Sequence, residues 1–395
     1  MNFETAFAHY QDNTATAEEE ALVRQELEKY RLIEDYMADR ELPELPAQDA
    51  AQAAAETKAV KRRLNRRTRN VVLITTAAVL AIVMLLQFLV SPLINRTVYD
   101  DTWLGAGYSD TDYRAFDVAM SALAGLYMPL GDYIGSTSAH SGFMTDTLQL
   151  SFYDFTGNHR FNLSTDVSLR LGRVSRLSFS DLHAIGYASG GYFYDYDHDR
   201  ADGSSIDADG GKIGRASLEA LPDYLCMTTA MPFTRKLTVD ELADLMARYP
   251  EVSFLSANVW VDGASVVGML YCSLQPMTCG YGSKLEEEYP GLQFRKASYP
   301  DADSPETGDA VTGADIQQHF EAMLQYLIDH PKAARAGVDE PYRYKLMLRN
   351  VRERGLDVNG VWVQGTPSQL LAMLDDECIR SAGNYDARID LYIGR

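Results

Sequence analysis

The sequence predicts an α+β protein with a cytoplasmic helical hairpin, one transmembrane helix, and an extracytoplasmic α+β domain with two strand-helix-strand repeats. Three observations lead there. Residues 71–90, VVLITTAAVLAIVMLLQFLV, are twenty consecutive residues without a charge. The chain before them has helical apolar spacing opened by a capping sequence. The chain after them twice runs through an extended segment, a Thr-led helix start and an alternating strand. The parts are residues 1–42 (hairpin), 43–70 (linker with a basic juxtamembrane cluster), 71–90 (span), 91–225 (a first exterior α+β region) and 226–395 (the repeats).

In the hairpin, Phe3, Phe7 and Tyr10 recur at spacings of four and three, one face of a short helix. A polar break at Asp12 to Ala15 follows. Thr16 and Glu19 form a T-x-x-E capping box that opens a second helix, with the stripe Val23, Leu27, Tyr30, Ile33 and Met37. The stripe either packs the hairpin's own seam or meets a partner. A hairpin of about forty residues buries too little surface to satisfy both faces alone, which favours a helix-in-groove contact with a cytoplasmic protein. Through Glu56 there are fourteen acidic residues against Arg24, Lys29, Arg31 and Arg40, a balance of −10, which repels phosphate and draws a basic protein surface. Pro43 and Pro46 end the hairpin, and the alanine-rich run Ala47 to Ala55 continues as helix.

At 1.5 Å per residue, twenty helical residues span about 30 Å, the hydrocarbon thickness of a bilayer. A helix apolar on every side also lacks the polar face of a domain-surface helix. Seventy residues precede it, so it is not a cleaved signal sequence. Lys58, Lys61, Arg62, Arg63, Arg66, Arg67 and Arg69 stand just before the run, and Asp100 and Asp101 soon after it. The positive-inside rule therefore puts the N-terminus in the cytoplasm and the C-terminal domain outside the cell membrane. The cluster Lys61, Arg62, Arg63, Arg66, Arg67 and Arg69 reads as an anchor on anionic lipid. It has no interleaved aromatics for nucleic acid, and the chain's net charge of −20 excludes a DNA-binding exterior.

The exterior has a helix expected from Ser109 to Leu130, with Phe116, Met120 and Leu123 on one face, and strands near 147–155 and 161–171. The first repeat is MPFTRKL, then TVDELADLM from Thr238, then a strand with Val252, Phe254, Val259 and Val261. The second is GVWVQG, then TPSQLLAML from Thr366, then ARIDLYI. Helices are also expected from Ala314 to Ile328, with Ile316, Phe320, Leu324 and Leu327 inward, and from Tyr342 to Arg354, with a solvated acidic loop at 300–309.

F-x-x-x-F-x-x-Y at Phe3 to Tyr10, TAEEE and VRQELEKY resemble the opening of bacterial membrane-bound anti-sigma factors of the sigma factor regulator family, and VNGVWVQGTPSQLLAML is similar to that family's C-terminal domain. The resemblance implies a partner, an RNA polymerase sigma factor of the extracytoplasmic-function type, bound by Phe3, Phe7, Tyr10, Val23, Leu27, Tyr30, Ile33 and Met37. A zinc-containing branch of these proteins carries His-x3-Cys-x2-Cys on the second helix. Glu26, Tyr30 and Ile33 align there, so no zinc and no other cofactor is expected. A second membrane regulator or a homo-oligomer is the further protein partner to consider. An envelope scaffold or sensor without a sigma partner, and an exterior enzyme, are the alternatives.

Chemistry in the exterior is sparse. Asp195, Asp197 and Asp199 start like a calcium loop, but Arg200 and Ile206 occupy the positions that want Gly and Glu. No H-E-x-x-H spacing, G-x-S-x-G elbow or phosphate loop occurs, so no catalytic residue is expected. Asn95-Arg96-Thr97 and Asn162-Leu163-Ser164 match the short glycosylation sequon. Of Cys226, Cys272, Cys279 and Cys378, Cys272 and Cys279 are near enough to bridge a tight loop; four buried thiols is the equal alternative.

Overall fold

The computed structural model describes residues 3–12, 14–38, 47–99, 103–105, 112–154, 163–175, 212, 214–261, 270–277, 283–294, 310–336 and 342–389. They fall into two compact units, 1–81 and 82–395, each described by itself. The protein is mixed helix and sheet, and among the described residues one helix is long and apolar enough to cross a membrane.

In the first unit, α1 (Phe3–Gln11) packs on α2 (Ala17–Ala38). Phe3 and Phe7, one turn apart, stack with centroids 5.8 Å apart. The Thr16 N–H donates to Glu19 Oε2 at 2.8 Å, as a capping box requires. Glu19 Oε1 also lies 3.0 Å from His9 Nδ1, so one carboxylate secures the start of α2 and ties α1 across the turn. The Thr16 backbone hydrogen bond and then His9 hold the Glu19 carboxyl below the usual range.

The third helix, α3 (Ala47–Leu85), runs without a break into a π-helical turn, Leu86–Val90, and then α4 (Ser91–Tyr99). Pro92 explains the wider turn. It has no N–H to give, and its ring crowds the carbonyl four residues back, so the helix loosens just ahead of it and the Ser91 N–H reaches Leu86 O instead. Residues 71–85 are exposed on every side, which is not how a core helix sits.

In the second unit, β1 (Trp103–Gly105) pairs antiparallel with β2 (Asp112–Arg114), and α5 (Ala115–Tyr127) follows at once. The helix expected from Ser109 therefore starts at Ala115, because Asp112 to Arg114 are held in the β2 pairing. It is also buried all round rather than on one face: every residue from Ala115 to Leu126 is buried, Asp117 and Ser121 included. An antiparallel sheet of β3 (Gly131–Gly142), β4 (Thr145–Asp154), β5 (Leu163–Arg170) and β6 (Arg173–Val174) follows in that order.

The rest begins with α6 (Arg215–Glu219), β7 (Leu225–Thr238), α7 (Val239–Arg248), β8 (Ser253–Trp260), β9 (Leu270–Ser273) and α8 (Ser283–Glu288). It continues with α9 (Gly313–Asp329), α10 (Pro331–Ala334), α11 (Tyr342–Arg354), β10 (Asp357–Gly365), α12 (Pro367–Leu374) and β11 (Gly383–Ile389). The two motifs thus occur as strand, helix, strand, and both helices open with a complete capping box, Thr238 with Glu241 and Thr366 with Gln369. Arg235, bonded to Glu241 at 2.6 Å, holds that carboxyl down to about 2. The sheet order is β11-β7-β10-β8-β9, every neighbour antiparallel. The two strand-helix-strand repeats therefore interleave. Their first strands, β7 and β10, pair at the centre, and the second strand of each lies beside the first strand of the other, a split β-α-β arrangement.

α5 lies at the heart of the core, packed on β3, β9 and α9. Tyr326 on α9 donates its hydroxyl to Ala115 O at 3.1 Å, and a Cβ at Gly125 would stand 2.8 Å from Met323 Sδ, so a larger residue there would push the Met323 side chain aside. Cys272, in β9, is buried and free, so the bridge to Cys279 is not formed; the strand holds the thiol inside the core, where desolvation pushes its pKa up. Cys226 and Cys378 are also buried thiols outside any disulfide, while Cys279, Asp195, Asp197, Asp199, the 300–309 loop and Asn162 lie outside the described residues.

Candidate functional site

The residues of the candidate partner surface divide between two environments. α1 is nine residues long against the twenty-two of α2, so it covers only the first turns of the longer helix. There Val23 is fully buried together with Ala6, and Phe3, Phe7 and Tyr10 are half-buried around them. Val23 thus belongs to the hairpin seam. Beyond it Leu27 (45% exposed), Tyr30 (66%), Ile33 (55%) and Met37 (69%) are uncovered, and Leu32 and Tyr36 extend the same apolar surface around α2. These six large apolar side chains stand exposed together over about three helical turns.

Lys61, Arg62, Arg63, Arg66, Arg67 and Arg69 are all exposed on α3. At about 100° per residue they are spread around more than half of the helix circumference. They form a collar rather than a single stripe along one face.

In the second unit the helix is clasped by the β3–β4–β5–β6 sheet and its neighbouring turns at three levels. First, Gln87 in the π turn donates from Nε2 to Gly142 O at 2.7 Å and accepts from the Met144 N–H, so one side-chain amide closes on both sides of the β3–β4 turn. Gln87 also meets His140 Nε2, and the His140 ring tilts against Phe88 with centroids 6.2 Å apart. Second, Asn95 in α4 is 2% exposed. Its Oδ1 accepts from the Gly172 N–H at 2.9 Å, and its Nδ2 donates to Leu169 O at 3.3 Å and to the Asp146 carboxylate. Asp146 in turn lies 2.9 Å from His140 Nδ1, so Gln87, His140, Asp146 and Asn95 form one hydrogen-bonded chain along the helix. Third, the Tyr99 hydroxyl donates to Ser136 O at 3.0 Å, and Arg114 stacks 4.3 Å over its ring. Behind it Asp117 accepts from the Tyr133 hydroxyl at 2.6 Å and from the Ser136 hydroxyl at 2.5 Å.

These clasp residues carried only faint signals in the sequence: Gln87 as the lone amide of the apolar run, and Asn95 as the start of a sequon. The Asn95 amide is occupied and buried, so that sequon is not a free acceptor. Near α4 a cavity of about 170 Å³ is lined by Thr97, Phe116, Asp329, His330 and Lys332 among others. Its polar groups are engaged: Lys332 Nζ donates to Thr97 Oγ1 at 3.3 Å and His330 Nδ1 to Tyr326 O at 2.9 Å. Among the described residues no group of three His, Cys, Asp or Glu side chains could hold a metal ion. Comparison of the chain with protein families, with curated proteins and with solved structures finds no match, so the likeness to sigma factor regulators rests on the residues themselves.

Proposed function

We propose that this chain is a single-pass anti-sigma factor: residues 1–42, in the cytoplasm, hold an extracytoplasmic-function sigma factor at the cell membrane, and residues 91–395, outside, bias that hold in response to an envelope signal. The observation that carries the reading is the uncovered apolar end of α2. Leu27, Tyr30, Ile33 and Met37 are held in fixed helical spacing, and full burial of each is worth about 1.5–3 kcal/mol, before association and ordering costs are subtracted. A gross gain of that size supports a stable complex. Phe3, Phe7 and Tyr10 border the same surface, and covering the polymerase-binding face of the sigma factor would keep it inactive. The −10 balance of residues 1–56 adds steering toward a basic partner.

The clasps supply a route for the signal. Gln87, Asn95 and Tyr99 tie three levels of one continuous helix to the exterior sheet, so a rearrangement of that sheet moves the helix that leads back to the hairpin. The test is transcription from a promoter of the cognate sigma factor in cells carrying Leu27→Asp with Tyr30→Asp. Output should rise to the level of a strain without the protein, because two carboxylates on the contact face cannot be desolvated cheaply. Unchanged output would count against the proposal.

A further inference from the structure

The tip of the β3–β4 hairpin sits at the level of Gln87, three residues inside the C-terminal end of the apolar run, rather than beyond it. Thirty ångströms of hydrocarbon take about twenty residues, which reach from Val71 to Val90 with none spare. Keeping the tip in bulk water would shift the span toward the N-terminus and draw Arg67 and Arg69 into the hydrocarbon. The basic collar opposes that shift.

The tip has the chemistry for the other solution. Its two turn residues are Phe143 and Met144, where a water-facing two-residue turn favours Asn-Gly. Phe143 is 52% exposed, and Met144 holds a left-handed φ of 54°, a conformation costly for a non-glycine residue. Backbone polar groups in lipid need a protein partner. Gln87 supplies one for Gly142 O and one for the Met144 N–H, which accounts for the only amide in the apolar run.

We infer that the β3–β4 tip is a lipid-contacting element: Phe143 enters the outer interface of the bilayer beside the π turn, with Gln87 satisfying the backbone it takes along. This rests on the reading of residues 71–90 as a membrane span. The exterior sheet is then seated on the bilayer, and its hairpin senses the depth and packing of the surrounding lipid. The second turn, at Leu171 and Gly172, is held at Asn95, eight residues farther along and about 12 Å farther out, in water.

The test uses the full chain in phosphatidylcholine vesicles containing phospholipid brominated near the headgroup or near the chain end, with the unsubstituted protein's fluorescence subtracted. Phe143→Trp should emit blue-shifted light and lose intensity to the shallow quencher, and Leu171→Trp should emit as in water and lose none. Val79→Trp, at mid-helix, should lose intensity to the deep quencher. Failure of Val79→Trp alone to be quenched overturns the span. Its quenching with a water-like Phe143→Trp overturns the hairpin inference and leaves the span standing. Equal quenching of Leu171→Trp and Phe143→Trp also overturns it, since the contact would not be specific to the tip. Adding Gln87→Leu to Phe143→Trp should move the emission to the red; an unmoved spectrum overturns the role given to Gln87.

Discussion

Replacing Asn95 by leucine removes one amide from between three partners and leaves the helix backbone as it is. The Gly172 N–H, Leu169 carbonyl and Asp146 carboxylate each lose a hydrogen bond, at 2.9 and 3.3 Å for the first two. A buried polar group left without a partner costs about 1–3 kcal/mol. Leu169 keeps its place in the β4–β5 ladder, and Gly172 and Asp146 are near enough to the surface for water to recover part of the loss. Leucine is close to asparagine in size, so no large cavity is added. The expected loss is about 2–4 kcal/mol. The assay is guanidinium unfolding of the full chain in detergent, followed by near-ultraviolet circular dichroism, with hydrogen exchange at Gly172 read in parallel. The Gly172 amide should exchange faster in the variant. A loss under about 0.5 kcal/mol with Gly172 still protected would refute the claim that Asn95 clasps the helix to the sheet.

Two further outcomes follow from buried geometry. Gly214 has φ 92°, and a Cβ there would stand 2.0 Å from the Ala382 carbonyl oxygen, so Gly214→Ala should destabilise the second unit by more than about 2 kcal/mol in the same unfolding assay. His319 is fully buried, donates from Nδ1 to Gly291 O at 2.9 Å, and burial pushes its pKa down to about 4. The unfolded chain takes up the proton near pH 6.5 while the folded chain does not, so this contribution is intact above pH 6.5. Stability should fall by about 1.4 kcal/mol per pH unit as pH drops from 6.5 toward 4. His319→Gln should flatten that slope when unfolding is measured across the range.

Much of the fold was legible because its signals are local. The T-x-x-E and T-x-x-Q boxes at Thr16, Thr238 and Thr366 stand at helix starts, since capping depends on residues three apart. Ile316, Phe320, Leu324 and Leu327 face inward from α9 as their spacing requires. The interleaving of β7, β8, β10 and β11 was not legible: strand alternation tells which side chains face the core, while the choice of neighbour depends on contacts more than a hundred residues away in sequence. The same distance hid the clasps. Gln87 meets a turn 55 residues on and Asn95 one 77 residues on, so each looked like an isolated amide. In the hairpin, the stripe from Val23 to Met37 reads as one face, and only the short reach of α1 separates the buried Val23 from the uncovered residues after it.

The central claim is that the uncovered end of α2 holds a sigma factor, and its most direct measurement is copurification of the full chain from membranes with the cell's sigma subunits, identified by mass spectrometry. The account predicts one extracytoplasmic-function sigma factor recovered near one-to-one with the native chain and lost from the Leu27→Asp, Tyr30→Asp variant. No sigma subunit with the native chain, or equal recovery with the variant, would contradict it.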